Sequence, residues 1–222
     1  MESSINRRAT AMLIPTLLFV TAAANAQESR WYAAGNVGVG NLSSTSLTFS
    51  DGTNSSSDSV SFDASFTGGA TLGYQITDRI SLEGDLTYRR NEFGQTELPG
   101  LGTFTGGDFA SLGFGISALY RFPIGQSGKL SGYVGPGYVY LQEIDIDFDD
   151  ASQQEVSFES DDGGFQLKLG GRYDISDRWF IEAGATYFAG GSVTMDLPGD
   201  PSQTITADYD HWSASFGAGI RF

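Results

Sequence analysis

Residues 211–222 read His-Trp-Ser-Ala-Ser-Phe-Gly-Ala-Gly-Ile-Arg-Phe, a strict alternation of two kinds of side chain. In an extended strand successive side chains face opposite sides. Trp212, Ala214, Phe216, Ala218, Ile220 and Phe222 therefore share one apolar face, and His211, Ser213, Ser215, Gly217, Gly219 and Arg221 share a small, polar one. The same period of two recurs along the chain. It predicts eight strands, at roughly 30–44, 62–76, 79–91, 108–122, 130–142, 164–176, 178–189 and 208–222, with boundaries good to a few residues. Their connections alternate in length. Those near 77–78, 123–129 and 177 are tight, whereas 45–61, 92–107, 143–163 and 190–207 are long and rich in Gly, Ser, Asp and Pro. Such a series is antiparallel in chain order.

The first residues have a different pattern. Arg7 and Arg8 precede an apolar run from Ala11 to Ala24, and Ala24-Asn25-Ala26 supplies a small-x-small cleavage pattern before Gln27. Residues 1–26 read as a cleaved signal peptide, and the mature chain as 27–222. Removing Glu2, Arg7 and Arg8 from the 12 basic and 27 acidic residues leaves 10 against 26, a net charge of −16. That balance excludes nucleic acid as a partner, since its binding depends on neutralising phosphates with Lys and Arg. The absence of cysteine excludes disulfides, thiol nucleophiles and thiolate metal sites. After Gln27 no apolar run reaches the ~18 residues of a helical membrane span. If this chain crosses a bilayer, it does so as a closed barrel, because an open sheet edge in lipid leaves backbone groups unpaired.

One internal repeat bears on the architecture. Residues 72–88, Leu-Gly-Tyr-Gln-Ile-Thr-Asp-Arg-Ile-Ser-Leu-Glu-Gly-Asp-Leu-Thr-Tyr, align with 171–187, Gly-Arg-Tyr-Asp-Ile-Ser-Asp-Arg-Trp-Phe-Ile-Glu-Ala-Gly-Ala-Thr-Tyr. Each copy is a strand, a Thr/Ser-Asp-Arg turn and a return strand. Asp78 and Asp177 suit the turn because a short carboxylate can accept from the backbone two residues on.

With the export signal, the strand count and the terminal Phe222, the mature chain resembles the OmpA-like/OmpX-like family of small bacterial outer-membrane β-barrel domains, without a peptidoglycan-binding domain. The resemblance implies an all-β fold, an eight-stranded antiparallel up-and-down transmembrane β-barrel with both termini in the periplasm. It implies that Phe222 is an assembly signal for the barrel-assembly machinery, met after periplasmic chaperones. It also implies a monomer in contact with outer-membrane lipid and lipopolysaccharide, with no cofactor.

Aromatic residues gather where such a barrel needs interfacial girdles. Trp31, Tyr74, Tyr120, Phe122, Tyr173, Trp179 and Phe222 fall at the periplasmic strand ends, and Tyr88, Phe109, Tyr138, Tyr140, Tyr187 and Trp212 toward the others.

On the face opposite the apolar one, the period places Glu83, Asp85, Arg89, Arg121, Lys168, Arg172, Asp174, Glu182 and Arg221. Eight strands enclose a space just wide enough for side chains to fill. The expectation is a polar core that plugs the barrel; the alternative is a gated path for ions or small solutes. His211 and Ser213 share a face at period-two spacing, as a base and nucleophile would. The triplet is similar to the His-x-Ser of outer-membrane lipid A deacylases, but register with Phe222 turns it inward. His211 is expected to be a hydrogen-bonding lumen residue, and the chain not an enzyme. Residues 143–162 carry nine carboxylates and no base. They lack the calcium-loop spacing, so a solvated acidic surface is expected ahead of a divalent-cation site. Ile144, Ile146 and Phe148 alternate with Asp145 and Asp147, which extends strands 5 and 6 into a protruding hairpin. A structural, surface-interacting or adhesive role through the outer loops follows.

Overall fold

The computed structural model describes residues 30–43, 45–60, 64–93, 96–98, 102–150, 155–197 and 200–222. The expected signal peptide lies outside them. Eleven strands are present in this part: β1 (Trp31–Leu42), β2 (Thr45–Ser50), β3 (Ser55–Val60), β4 (Ser65–Gln75), β5 (Ile80–Phe93), β6 (Thr96–Leu98), β7 (Gly102–Ile124), β8 (Leu130–Asp150), β9 (Glu155–Asp174), β10 (Trp179–Leu197) and β11 (Asp200–Arg221). Eight of them, β1-β4-β5-β7-β8-β9-β10-β11, form an antiparallel ring, and β1 closes it against β11 from Tyr32↔Arg221 to Leu42↔His211. The fold is an all-β barrel in which no ring strand keeps an open edge through the membrane, as lipid requires.

The hairpin that extends strands 5 and 6 is present as expected, whereas the other expected long loops are themselves largely strand, which corrects the sequence reading. β8 and β9 stay paired out to Asp149↔Glu155, and β10 and β11 out to Leu197↔Asp200. Residues 45–60 form the hairpin β2–β3, which joins β11 through Thr48↔Thr206 and Ser50↔Thr204 above the point where β1 stops. Its tip at Asp51 is held by the Thr53 and Asn54 amides, which donate to Asp51 Oδ1 at 2.9 and 2.6 Å; Gly52 there takes the left-handed φ of 80°. Residues 96–98, within another expected loop, pair with β7.

The repeated tight turns work differently from expectation. Thr77 Oγ1, not Asp78, accepts from the amides of Arg79 (3.2 Å) and Ile80 (3.0 Å). Ser176 Oγ does the same for Arg178 (3.3 Å) and Trp179 (3.1 Å). The aspartates are left exposed, and Arg79 Nη1 reaches the Tyr120 hydroxyl at 3.4 Å.

Facing follows the period. Val37, Phe66, Ile116, Leu169 and Phe216 point outward and are exposed, while their sequence neighbours turn in. The girdle positions are exposed or half-exposed with one correction: Phe109 is fully buried and points inward, against Tyr209 at 5.0 Å. Inward aromatics lie over glycines of adjacent strands. A Cβ at Gly73 would overlap the Tyr32 ring, and one at Gly219 the Phe180 ring.

The interior divides in two along the axis. Toward the tight turns it is charged and polar. Toward the long strands it is an apolar cluster that includes Leu42, Leu47, Phe109, Leu141, Ile144, Ile146, Phe188, Val193, Met195, Ile205 and Tyr209, all essentially inaccessible. Bulges build this upper layer. The register of β8 against β9 shifts between Leu141 and Ile144, so Leu141 and Ile144 both face inward although three residues apart.

Candidate lumen site

Glu83 is the centre of the polar half. It leaves β5 inward between outward Leu82 and Gly84, and its side chain is only 4% exposed. The Tyr32 hydroxyl donates to its Oε1 at 2.7 Å and Lys168 Nζ to its Oε2 at 2.7 Å. Arg172 Nη2 lies 3.5 Å and Arg121 Nη2 3.9 Å from Oε1. Four side chains from three other strands thus converge on one carboxylate. Lys168 Nζ also donates to Asp85 Oδ1 at 3.0 Å, and Thr71 Oγ1 donates to the same oxygen at 2.7 Å. Across the barrel, Arg172 Nε and Nη2 donate to Glu182 Oε2 at 3.0 and 2.7 Å.

Arg172 is also clamped by rings, with its guanidinium carbon 4.0 Å from the Phe180 centroid and 4.5 Å from that of Tyr32. A guanidinium over a ring face is attracted by the ring quadrupole, more strongly when water is excluded. Removing one member of a buried pair leaves its partner uncompensated and typically costs about 3–5 kcal/mol. The network is therefore costly to break at any point.

Of the residues the sequence places inside, Glu83, Asp85, Arg121, Lys168, Arg172 and Glu182 meet in this network. Arg221 joins Asp174 nearer the barrel mouth. There the lumen opens into a vestibule of about 500 Å³, lined in part by Arg79, Arg121 and Arg221. Arg89 stands apart, higher on β5, with its guanidinium 5.5 Å from the Phe188 centroid. Tyr32, Thr71, Ser117 and Gln166 are members that sequence reasoning missed. Their signal was the inward parity they share with the charged residues.

His211 and Ser213 are both buried and inward. The imidazole lies over Gly40, where a Cβ would meet it, and its Nε2 is 3.2 Å from Ser65 Oγ on β4. No bond between His211 and Ser213 is present among the described residues. The apolar layer lies above the pair and the ion network below, so neither a lipid acyl chain nor the outer leaflet reaches it.

Most side chains of residues 143–162 lie outside the described set. Within the described part, Ile144 and Ile146 are buried and Asp147 half-buried. Among the described residues no group of three or more metal-ligating side chains converges.

Known proteins compare as follows. The outer membrane protein OprG from Pseudomonas aeruginosa superposes with a TM-score of 0.62 at 18% identity, over 87% of this chain and 96% of that one. Outer membrane protein AlkL, solved in DMPC bilayers, gives 0.54 at 18% identity over 90% and 94%. Neisserial surface protein A gives 0.50 at 17% identity over 87% and 98%. At these identities the likeness is one of fold. Among curated proteins no sequence matches. A family model, however, matches residues 11–222, nearly the entire sequence. The closed ring, the lipid-facing apolar surface and this match agree, and the chain belongs to the outer membrane protein beta-barrel domain family.

Proposed function

We propose that this chain is exported with loss of residues 1–26 and serves in the outer membrane of a Gram-negative bacterium as a monomeric barrel with a filled interior. Its role is structural and surface-interacting, exercised through the strands that continue beyond the bilayer. Lipopolysaccharide is its neighbour there, and Phe222 is its signal to the assembly machinery. The observation that carries this reading is the filling of the lumen: ion pairs occupy the lower half and the buried apolar cluster the upper half. Such an interior gives mobile ions no aqueous route, whereas β8 and β9 project a strongly acidic hairpin outward. Purified barrel in planar bilayers should show no discrete conductance steps, and protease added to intact cells should cut between Asp150 and Glu155. Regular conductance steps, or a hairpin protected on intact cells, would overturn the reading.

A second reading, passage of small apolar solutes, is favoured by one feature. Pairing of β9 with β10 lapses between Phe165↔Ala189 and Glu159↔Asp196, beside the apolar Phe188, Val193 and Met195. A gap in the wall next to an apolar lumen suits an uncharged, water-poor solute better than an ion. Uptake of such a solute by vesicles carrying the barrel, without any ionic conductance, would support it over the surface role.

A further inference from the structure

The lumen charges do not balance, and the imbalance has an address. Glu83, Asp85 and Glu182 face Arg121, Lys168 and Arg172 within one network, and Asp174 faces Arg221. Each carboxylate there has a cation to match it. Arg89 remains. It is 2% exposed, and among the described residues no carboxylate lies within 4 Å of its guanidinium. Among the described residues its Nε and Nη1 have no hydrogen-bond partner; the side chain bonds Tyr209, and the carboxylate that acts on it from farther off, Asp85, is already held by Lys168. Above it lie Phe188 and Tyr209 of the apolar layer, and the one imidazole nearby, His211, supplies no negative charge. A cation held in so dry a place with no carboxylate in contact costs several kcal/mol unless something opposes it.

Beneath Arg89 is a cavity of about 50 Å³, lined at this end by Arg89, Thr67, Thr87, Asn36 and Ser213, and at the other by the paired carboxylates. The space corresponds to roughly three to five waters, and a halide ion is little larger than one water. Thr67, the cross-strand partner of Arg89 on β4, lines the same cavity and brings a hydroxyl donor to it. Water alone would hydrate the cation but leave its charge in place.

We propose that the outer end of this cavity is a binding site for one chloride-sized monovalent anion, held by the Arg89 guanidinium with hydroxyls of Thr67, Thr87 and Ser213 as further donors. The anion neutralises the one lumen cation that has no contacting carboxylate among the described residues, and fastens the polar half of the core to the apolar half. The carboxylates at the far end are already engaged by Lys168 and Arg172. The site is a structural one, independent of the surface role proposed above.

Two measurements on the folded barrel in detergent test it. Crystals grown in bromide should give an anomalous peak within hydrogen-bonding distance of the Arg89 guanidinium. In melts at constant ionic strength with gluconate as the replacement anion, each tenfold rise in chloride above the dissociation constant should raise the midpoint by roughly 3–6 °C, the effect of ~1.4 kcal/mol on a domain of this size. Arg89→Met should abolish the response. Should that variant fail to fold, Thr67→Val keeps the charge while removing one donor, and should shift the chloride dependence to severalfold higher concentration. A bromide-free cavity, with equal wild-type midpoints in chloride and gluconate, would overturn the site; so would an undiminished chloride response in Arg89→Met.

Discussion

His211 Nε2 lies 3.2 Å from the hydroxyl of Ser65, a residue two strands away around the ring and 146 positions earlier in the chain. The imidazole reaches it by crossing above Gly40 of the intervening β1. This contact engages the imidazole with Ser65 rather than with Ser213. Lipid A from cells with and without the protein should therefore have the same acyl composition by mass spectrometry, and Ser213→Ala should change nothing there. Ser65→Ala should lower stability by about 1 kcal/mol, the net worth of one buried hydrogen bond. A Ser213-dependent loss of one acyl chain would contradict the non-enzymatic reading.

Glu83 has more cationic partners than Glu182 and is more deeply buried. In urea titrations of the barrel in lipid vesicles, Glu83→Ala should cost about 3–5 kcal/mol, and Glu182→Ala measurably less. Equal, unshifted midpoints for both would mean that water reaches the network, and would favour the channel alternative.

Ala218 faces lipid on β11, and Ser215 faces the lumen on the same strand. Arginine at a lipid-facing position near the midplane costs about 2–4 kcal/mol in barrels of this kind. Ala218→Arg should accordingly fold poorly into vesicles, as read by the mobility difference between unboiled and boiled samples, while Ser215→Thr folds normally. The reverse result would invert the facing of every strand.

Gly73 is where Tyr32 lies down on β4. Replacing it with valine should displace the ring, break the 2.7 Å bond from Tyr32 to Glu83, and destabilise the barrel as much as Tyr32→Phe or more. Tyr32 fluorescence is not separable among so many aromatics, so the vesicle urea midpoint is the measurement.

Asp51 at the β2–β3 tip is held below the usual carboxylate range, first by the Asn54 amide and then by that of Thr53. A carboxyl with a depressed folded-state value stabilises its turn above the ordinary value, and that contribution disappears as pH falls through the depressed one. The Thr53 and Asn54 amide resonances should therefore titrate together below the ordinary Asp range, and Asp51→Ala should abolish the transition. Titration at an ordinary aspartate pH would show that the turn is not formed in solution.

The membrane-spanning parts of the ring were readable because period-two patterning survives wherever one face meets lipid and the other a filled lumen. Above the bilayer the apolar-out rule lapses. Leu47 and Phe49 of β2 alternate with Thr48 and Ser50, yet they lie in a Ser/Thr-rich stretch that reads as loop, and they point inward. The bulge between Leu141 and Ile144 changes which parity is inward, so no uniform count along β8 could reveal the apolar layer. Charged lumen residues were found by parity alone. The partner of His211 was not, because neighbourhood across β1 depends on how the ring closes, and local pattern does not encode closure.

That closing ladder joins β1, the first described strand, to β11, the last described one, rung by rung from Tyr32↔Arg221 to Leu42↔His211. Closing so long a loop is entropically costly before any rung rewards it. During synthesis β1 therefore emerges with its eventual partner still unmade, and must be kept from pairing elsewhere until β11 has been made. A copy truncated before β11 is not a smaller barrel but an open ribbon with two sticky margins. The molecule's success is decided at its seam, by the order in which its ends meet.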